Sequence, residues 1–390
     1  MVRILVLALC LVTFIQLKEV KCQLGVIYSP FVQSGDNPGT TKSYTLQNVK
    51  KMLNLLKNDN FHCISTYGVG ATSETYQKNN TIYQSTSIVH TALAAAEINR
   101  EKKQLALTVY QGLFPNPNRG FNSETEVSFE VAEAANKIYK GTVPALVFSS
   151  TVAFHELLYT HIIATLKNVS DRAHVSNLKF GVRLYDCVSM GVILNASQNS
   201  VNIQNLMELL DFIICTRIPP LSAYSEGPNI FKEQITKEIL EVETTVKKMY
   251  NDTEVILETA WGGEMNTTNP YTTIEMKMFW EMMGLWANQQ QKLVFMQEGF
   301  DNPWKVGIRE LAFAAHFGIW KHSDEEQDFI RKGSKIETHN PPPVSAPVVP
   351  TGSNKTSKSK VEATIVVSSG CVANTHAMLI TVALVWGFLA

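Results

Sequence analysis

EVILETAWG at residues 254–262 and KLVFMQEGF at 292–300 are runs of strand length, rich in β-branched and aromatic residues, in which a carboxylate (Glu258, Glu298) follows the apolar stretch. Between them, residues 272–288 read as a helix. Near-continuous apolar strands alternating with helices are the pattern of a parallel sheet covered on its outer face. The alternation extends back through the chain. LGVIYSP (24–30), HCISTYG (62–68), LALTVYQG (105–112), ALVFSST (145–151), KFGVRLY (179–185) and DFIICTRIP (211–219) have the same character. Eight strand–helix units in order predict a single (β/α)8 barrel with its chemistry at the C-terminal ends of the strands. A doubly wound open sheet is the alternative, but the first unit has no Gly-rich phosphate loop to favour it.

The helical segments are amphipathic. Val49, Met52, Leu53 and Leu56 form one stripe, and Ser123 with Glu126 reads as a capping box opening a helix that carries Val127, Val131, Ala134 and Ile138. Longer helices are expected over Ile230–Tyr250 and Thr272–Asn288. The 390 residues include 34 Lys or Arg and 35 Asp or Glu, a net charge of −1, and 45% are hydrophobic. That composition supports a sizeable core and excludes a disordered or fibrous chain. With no basic excess, it also argues against a nucleic-acid partner.

The ends differ from the middle. Residues 1–22, with Arg3 and an apolar run from Ile4 to Ile15, read as a secretory signal peptide cleaved before Gln23. At the other end, Ser368, Ser369 and Gly370 precede a polar spacer and the apolar tail Ala377–Ala390. This reads as a glycosylphosphatidylinositol (GPI) signal over 370–390, with attachment at Ser368 or Ser369. A proline- and serine-rich stretch over 331–369 reads as a disordered stalk, leaving 23–330 as the barrel. Six N-x-Ser/Thr acceptors (Asn79, Asn168, Asn195, Asn251, Asn266 and Asn354) suit a glycoprotein. The expected location is the extracellular face of the plasma membrane, with simple secretion as the alternative. Cys63, Cys187 and Cys215 remain in the mature chain, each expected in a strand, so at most one bridge forms among them and at least one is expected as a buried free thiol. No Cys or His spacing resembles a zinc site, and neither a metal nor a cofactor is expected.

A carboxylate closing an apolar strand is not an ordinary core residue, because an unpaired buried charge is expensive. Glu258 and Glu298 on neighbouring strands, beside Trp261 and Trp304 as stacking surfaces, point to a carbohydrate site. The competing reading makes each carboxylate the partner of a Lys or Arg in a structural network.

GVIYSPF (25–31), ISTYG (64–68), VILETAWGG (255–263), EGFDNPWK (298–305) and HFGIW (316–320) resemble glycoside hydrolase family 17 in order and spacing. The closest likeness is to the fungal-type β-1,3-glucanases and glucan transferases. The resemblance implies a (β/α)8 fold, a retaining mechanism with Glu258 as nucleophile, and a neutral β-1,3-glucan as ligand. It also implies substrate contacts from Tyr28, Tyr67, Trp261, Glu298, Asp301 and Trp304. One departure stands out: the family's general acid is the Glu of a GNE motif ending strand four, where this chain has Ser149-Ser150-Thr151. Thr151 has no carboxyl proton to give a leaving sugar, and such a proton contributes roughly 10²–10⁴-fold. Glu156, five residues on, is a poor substitute. Asn302 also replaces the second carboxylate of the family's FDEPWK pattern. Three expectations follow: a surface-anchored glycan-binding or structural barrel with lost or weakened hydrolysis; an active endo-β-1,3-glucanase or glucan transferase; or an adhesion protein working through its outer surface.

Overall fold

The computed structural model describes residues 23–36, 44–68, 87–113, 121–149, 157–185, 187, 190, 201–220, 222–263, 272–307 and 312–341. Eight parallel strands close in sequence order, with β8 paired back onto β1. They are β1 (Leu24–Ile27), β2 (Cys63–Ser65), β3 (Thr108–Leu113), β4 (Ala145–Ser149), β5 (Lys179–Leu184), β6 (Phe212–Arg217), β7 (Glu254–Ala260) and β8 (Val294–Gln297). Seven fall inside expected runs and β3 passes the end of its run by one residue, at Leu113, so the (β/α)8 barrel is the fold.

Helices α1 (Leu46–Asn58), α2 (Ser87–Lys102), α3 (Phe121–Ile138), α4 (Thr160–Val175), α5 (Val201–Met207), α6 (Ala223–Glu226), α7 (Pro228–Met249) and α8 (Thr273–Gln290) follow the first seven strands. Thr45 caps α1, and the buried face of that helix includes Val49, Met52, Leu53 and Leu56. Thr272 and Glu275 form a capping box on α8. Ser123 does not open its helix, because α3 begins two residues earlier at Phe121. Among the described residues, β8 is followed by short 3₁₀ turns and a hairpin of β9 (Trp320–Ser323) with β10 (Asp328–Arg331), and no α-helix follows it.

Period-two alternation divides the core. Val26, Ile64, Val109, Leu146, Val182, Ile213, Leu257 and Met296 face outward onto the helices. Ile27, Cys63, Ala145, Val147, Phe212, Ile214, Ile256, Leu293 and Phe295 fill the barrel axis as a separate cluster. Gly181 on β5 makes room for it: a Cβ there would lie 2.4 Å from the Phe212 ring.

The barrel does not end at 330. Ile336 and Thr338 are buried, and the Asn340 amide bonds the backbone of Leu24 and Asn60. Residues 331–341 therefore belong to the folded unit, which corrects the expected stalk boundary. Cys187 lies beyond β5 and forms a disulfide with Cys215 on β6, while Cys63 is a buried free thiol. The expected signal peptide (1–22), residues 342–390 with Ser368 and Ser369, and the acceptors Asn79, Asn195, Asn266 and Asn354 lie outside the described residues. Asn168 and Asn251 are exposed. Among the described residues no helix is long and apolar enough to cross a membrane.

Candidate functional site

A polar layer sits directly above the apolar plug, at the C-terminal ends of the strands. Moving two residues along a strand keeps the same face, so Cys63 leads to Ser65, Val147 to Ser149 and Gly181 to Arg183. In the same way Ile214 leads to Thr216, Ile256 to Glu258 and Phe295 to Gln297. All six of these polar side chains are buried. Glu258 is at its centre. Its Oε2 accepts from Arg183 Nε at 2.8 Å; its Oε1 accepts from Gln297 Nε2 at 2.6 Å and from the Tyr67 hydroxyl at 3.5 Å.

Arg183 spends its remaining donors on the same layer. Nη2 donates to Ser65 Oγ at 2.7 Å, and Nη1 to the Thr66 carbonyl at 3.2 Å and to the Ser149 hydroxyl. Its Cζ lies 4.7 Å from the Tyr67 ring centroid. Burial alone would lower the Arg183 pKa, but the charge and hydrogen bond of Glu258 together with Tyr67 and Tyr185 outweigh it and hold the guanidinium above its usual value. The Tyr67 hydroxyl is pushed well above its ordinary value, first by burial and then by Glu258, so it serves as a donor at neutral pH. Thr216 is level with Glu258 in the β6–β7 register, and its buried hydroxyl has no hydrogen-bond partner. Tyr185, two residues past Arg183, is half exposed and feels the charges of both Glu258 and Glu298.

A second cluster follows β8. Lys305 Nζ and Asn302 Nδ2 each bond one oxygen of Glu298. Burial raises the Glu298 pKa; Lys305 opposes that, while Glu258 and Asp301 add to it. Asp301 accepts from Lys332 Nζ at 2.8 Å and from the Gly318 amide at 2.9 Å. Asn302 Oδ1 also accepts from the indole of half-buried Trp304 at 3.0 Å. The residue that departs from the FDEPWK pattern is thus a hinge pin between Glu298 and Trp304.

Tyr67 and Glu258 meet as the sequence expected. Two aromatics do not join them. Trp261 has outward parity and is wholly buried against Tyr224 and Phe279, with ring centroids at 4.5 and 5.3 Å. Tyr28 also points outward: its hydroxyl lies 3.7 Å from Met52 Sδ on α1. Neither presents a face to a sugar. Thr151, Ser150 and Glu156 lie outside the described residues. Arg183, Gln297 and Tyr185 went unremarked in the sequence, and Ser149 was noted only as a departure from the family motif, although alternation along β4, β5 and β8 carried the signal for Ser149, Arg183 and Gln297. Among the described residues no group of three His, Cys, Asp or Glu is arranged to hold a metal ion.

No protein-family model and no curated protein matches the chain by sequence. Among solved structures it is similar to an endo-laminarinase from Formosa Hel1_33_131, with a TM-score of 0.56 and 14% identity over 76% of this chain and 83% of that one. It is also similar to a glycoside hydrolase family 17 β-1,3-glucanosyltransferase from Rhizomucor miehei (TM-score 0.49, 13% identity, 80% and 96% covered). A third is CJP38, a β-1,3-glucanase and allergen of Cryptomeria japonica pollen (0.46, 13%, 77% and 97%). At these identities the likeness is one of fold, and the first match carries it.

Proposed function

We propose that this chain is a family-17-like glycoside hydrolase barrel that binds a neutral polysaccharide of the β-1,3-glucan type and has lost or weakened hydrolysis. In this reading a GPI anchor at Ser368 or Ser369 tethers it to the extracellular face of the plasma membrane. One observation carries the reading: each carboxylate of the site already has its own cation. Glu258 pairs with Arg183, Glu298 with Lys305 and Asp301 with Lys332. A retaining glycosidase needs one carboxylate free to attack and a second carboxyl, about 5–5.5 Å away, to give and take a proton. Three self-paired carboxylates supply neither role readily, and Thr151 replaces the acid of the resembled family. The pairs also sum to zero charge, which suits a neutral sugar better than an acidic one. The fold likeness to an endo-laminarinase supports laminarin as the first ligand to try.

The second reading is an active retaining endo-β-1,3-glucanase or glucan transferase with Glu258 as nucleophile. It is favoured by one fact: Glu258 points into the barrel at the C-terminal end of β7, where barrel enzymes carry their chemistry.

The deciding experiment incubates the full secreted chain with laminarin and measures bound glucan and new reducing ends together. Binding without reducing ends is expected, and Tyr185→Ala weakens it roughly three- to tenfold by removing the exposed aromatic face. Turnover at ordinary enzyme rates that vanishes in Glu258→Gln establishes the second reading instead. Release from cells by phosphatidylinositol-specific phospholipase tests the anchor; protein retained on the cells, or found only in the medium, rejects it.

A further inference from the structure

Arg183 is more than a neighbour of Glu258. It leaves β5 and crosses the mouth of the barrel, contacting Ser65 and Thr66 on the β2 side, Ser149 on β4 and Glu258 on β7. Its side chain and that of Glu258 have no exposed surface. The interior of an eight-stranded barrel is just wide enough for side chains to fill, so a guanidinium at this level takes the space of a bound ring. It also holds Oε2 of Glu258, while Gln297 and Tyr67 hold Oε1, and the ion pair is wholly enclosed, so the carboxylate has no open face toward an anomeric carbon.

We propose that Arg183 is the residue that withholds Glu258 from sugar chemistry, making the carboxylate the counter-ion of a strut that braces β2, β4, β5 and β7. The proposal rests on the glycan-binding reading for its ligand, but not for its test, which needs no laminarin. Removing one member of a buried ion pair strands the other without a partner, whereas removing both strands neither. The pair is therefore strongly coupled.

The chemical arm uses a 2,4-dinitrophenyl 2-deoxy-2-fluoro-β-glucoside. If Glu258 attacks, a C1–O bond to its carboxylate forms, the C1–O bond to the aryl group breaks, and the electron pair leaves as dinitrophenolate. No general acid is required, so the lack of a carboxyl at Thr151 does not mask the result. Wild type is expected to stay unlabelled by mass spectrometry, and Arg183→Gln, which is shorter and uncharged, to gain a sugar on the peptide containing Glu258. The stability arm compares melting temperatures. Arg183→Met and Glu258→Gln each melt roughly 5–10 °C lower, and the double variant lies well above the sum of the two losses. Rapid labelling of wild type, absence of labelling in a folded Arg183→Gln, or an unchanged melting temperature in Glu258→Gln overturns the proposal. If Arg183→Gln does not fold, the Glu258→Gln melt and the double variant still decide it. A protein that binds no laminarin but shows the coupled melt sinks the glycan reading and leaves the strut standing.

Discussion

Glu298 is a carboxylate that the native fold holds in an unfavourable place. Burial lifts its pKa above the ordinary 4.5, and the neighbouring charges of Glu258 and Asp301 add to that lift against Lys305. The folded chain therefore binds this proton at pH values where the unfolded chain has released it. Between 4.5 and the raised native value, stability falls as pH rises; above that window the Glu298 contribution is constant. Glu298→Gln has no proton to lose and removes that slope. Melting temperatures of both proteins from about pH 4 to 7 check this, with the difference between them changing through the window in the stated direction. A difference that stays flat, or slopes the other way, rejects it. Asn302 links the same carboxylate to Trp304.

Strand alternation decides which side chains meet. In β5 the inward positions are Lys179, Gly181 and Arg183, and Gly181 is small because Phe212 from β6 lies across it. A methyl group at 181 meets three atoms of that ring at 2.4–2.6 Å. Gly181→Ala is expected to destabilise the barrel by about 1–3 kcal/mol, as overpacking does in a filled core. Chemical denaturation measures it, and pairing the change with Phe212→Leu should recover part of the loss. The displacement also pushes on the layer above, so the Arg183 strut depends on a glycine two residues before it. At β7 the same alternation turns Glu258 inward and Trp261 outward, although they stand three residues apart in one apolar run. That is why the tryptophan became core while the glutamate entered the mouth.

Over the whole molecule, the segment after β10 packs across α1 and α8. Lys335 Nζ donates to the Asn58 carbonyl at 2.7 Å, the Glu337 amide donates to Glu281 Oε1 at 2.9 Å, and Ile336 is buried. Asn340 then clasps Leu24, accepting from its amide at 2.7 Å and donating to its carbonyl at 2.7 Å. The segment runs back across α1 and α8 and leaves the barrel where the strands begin, at the pole opposite Glu258. A chain ending at residue 333, which keeps β10 and Lys332, loses this strap and exposes the apolar surface beneath Ile336. It is expected to melt several degrees below one ending at 341, since each kcal/mol shifts a domain of this size by roughly 2–4 °C. Equal melting temperatures, followed by circular dichroism, discard that role for the strap.

By itself the sequence determined the number, order and approximate bounds of the eight strands, the single barrel they form, and the place of Glu258 at a strand end. These are local properties, set by the spacing of apolar residues over five to ten positions. It also placed Thr151 where the resembled family carries its acid, and it left open whether the strand-end carboxylates were catalytic or paired with cations. Only the tertiary structure settled the pairing. Arg183 and Glu258 are 75 residues apart, and Arg183 and Ser65 are 118 apart. No periodicity links them, because closure of the barrel is what brings β2, β4, β5 and β7 around one axis. The same holds for the choice of Cys187 with Cys215 and for the strap ending at Asn340, both made by through-space proximity that local pattern does not encode.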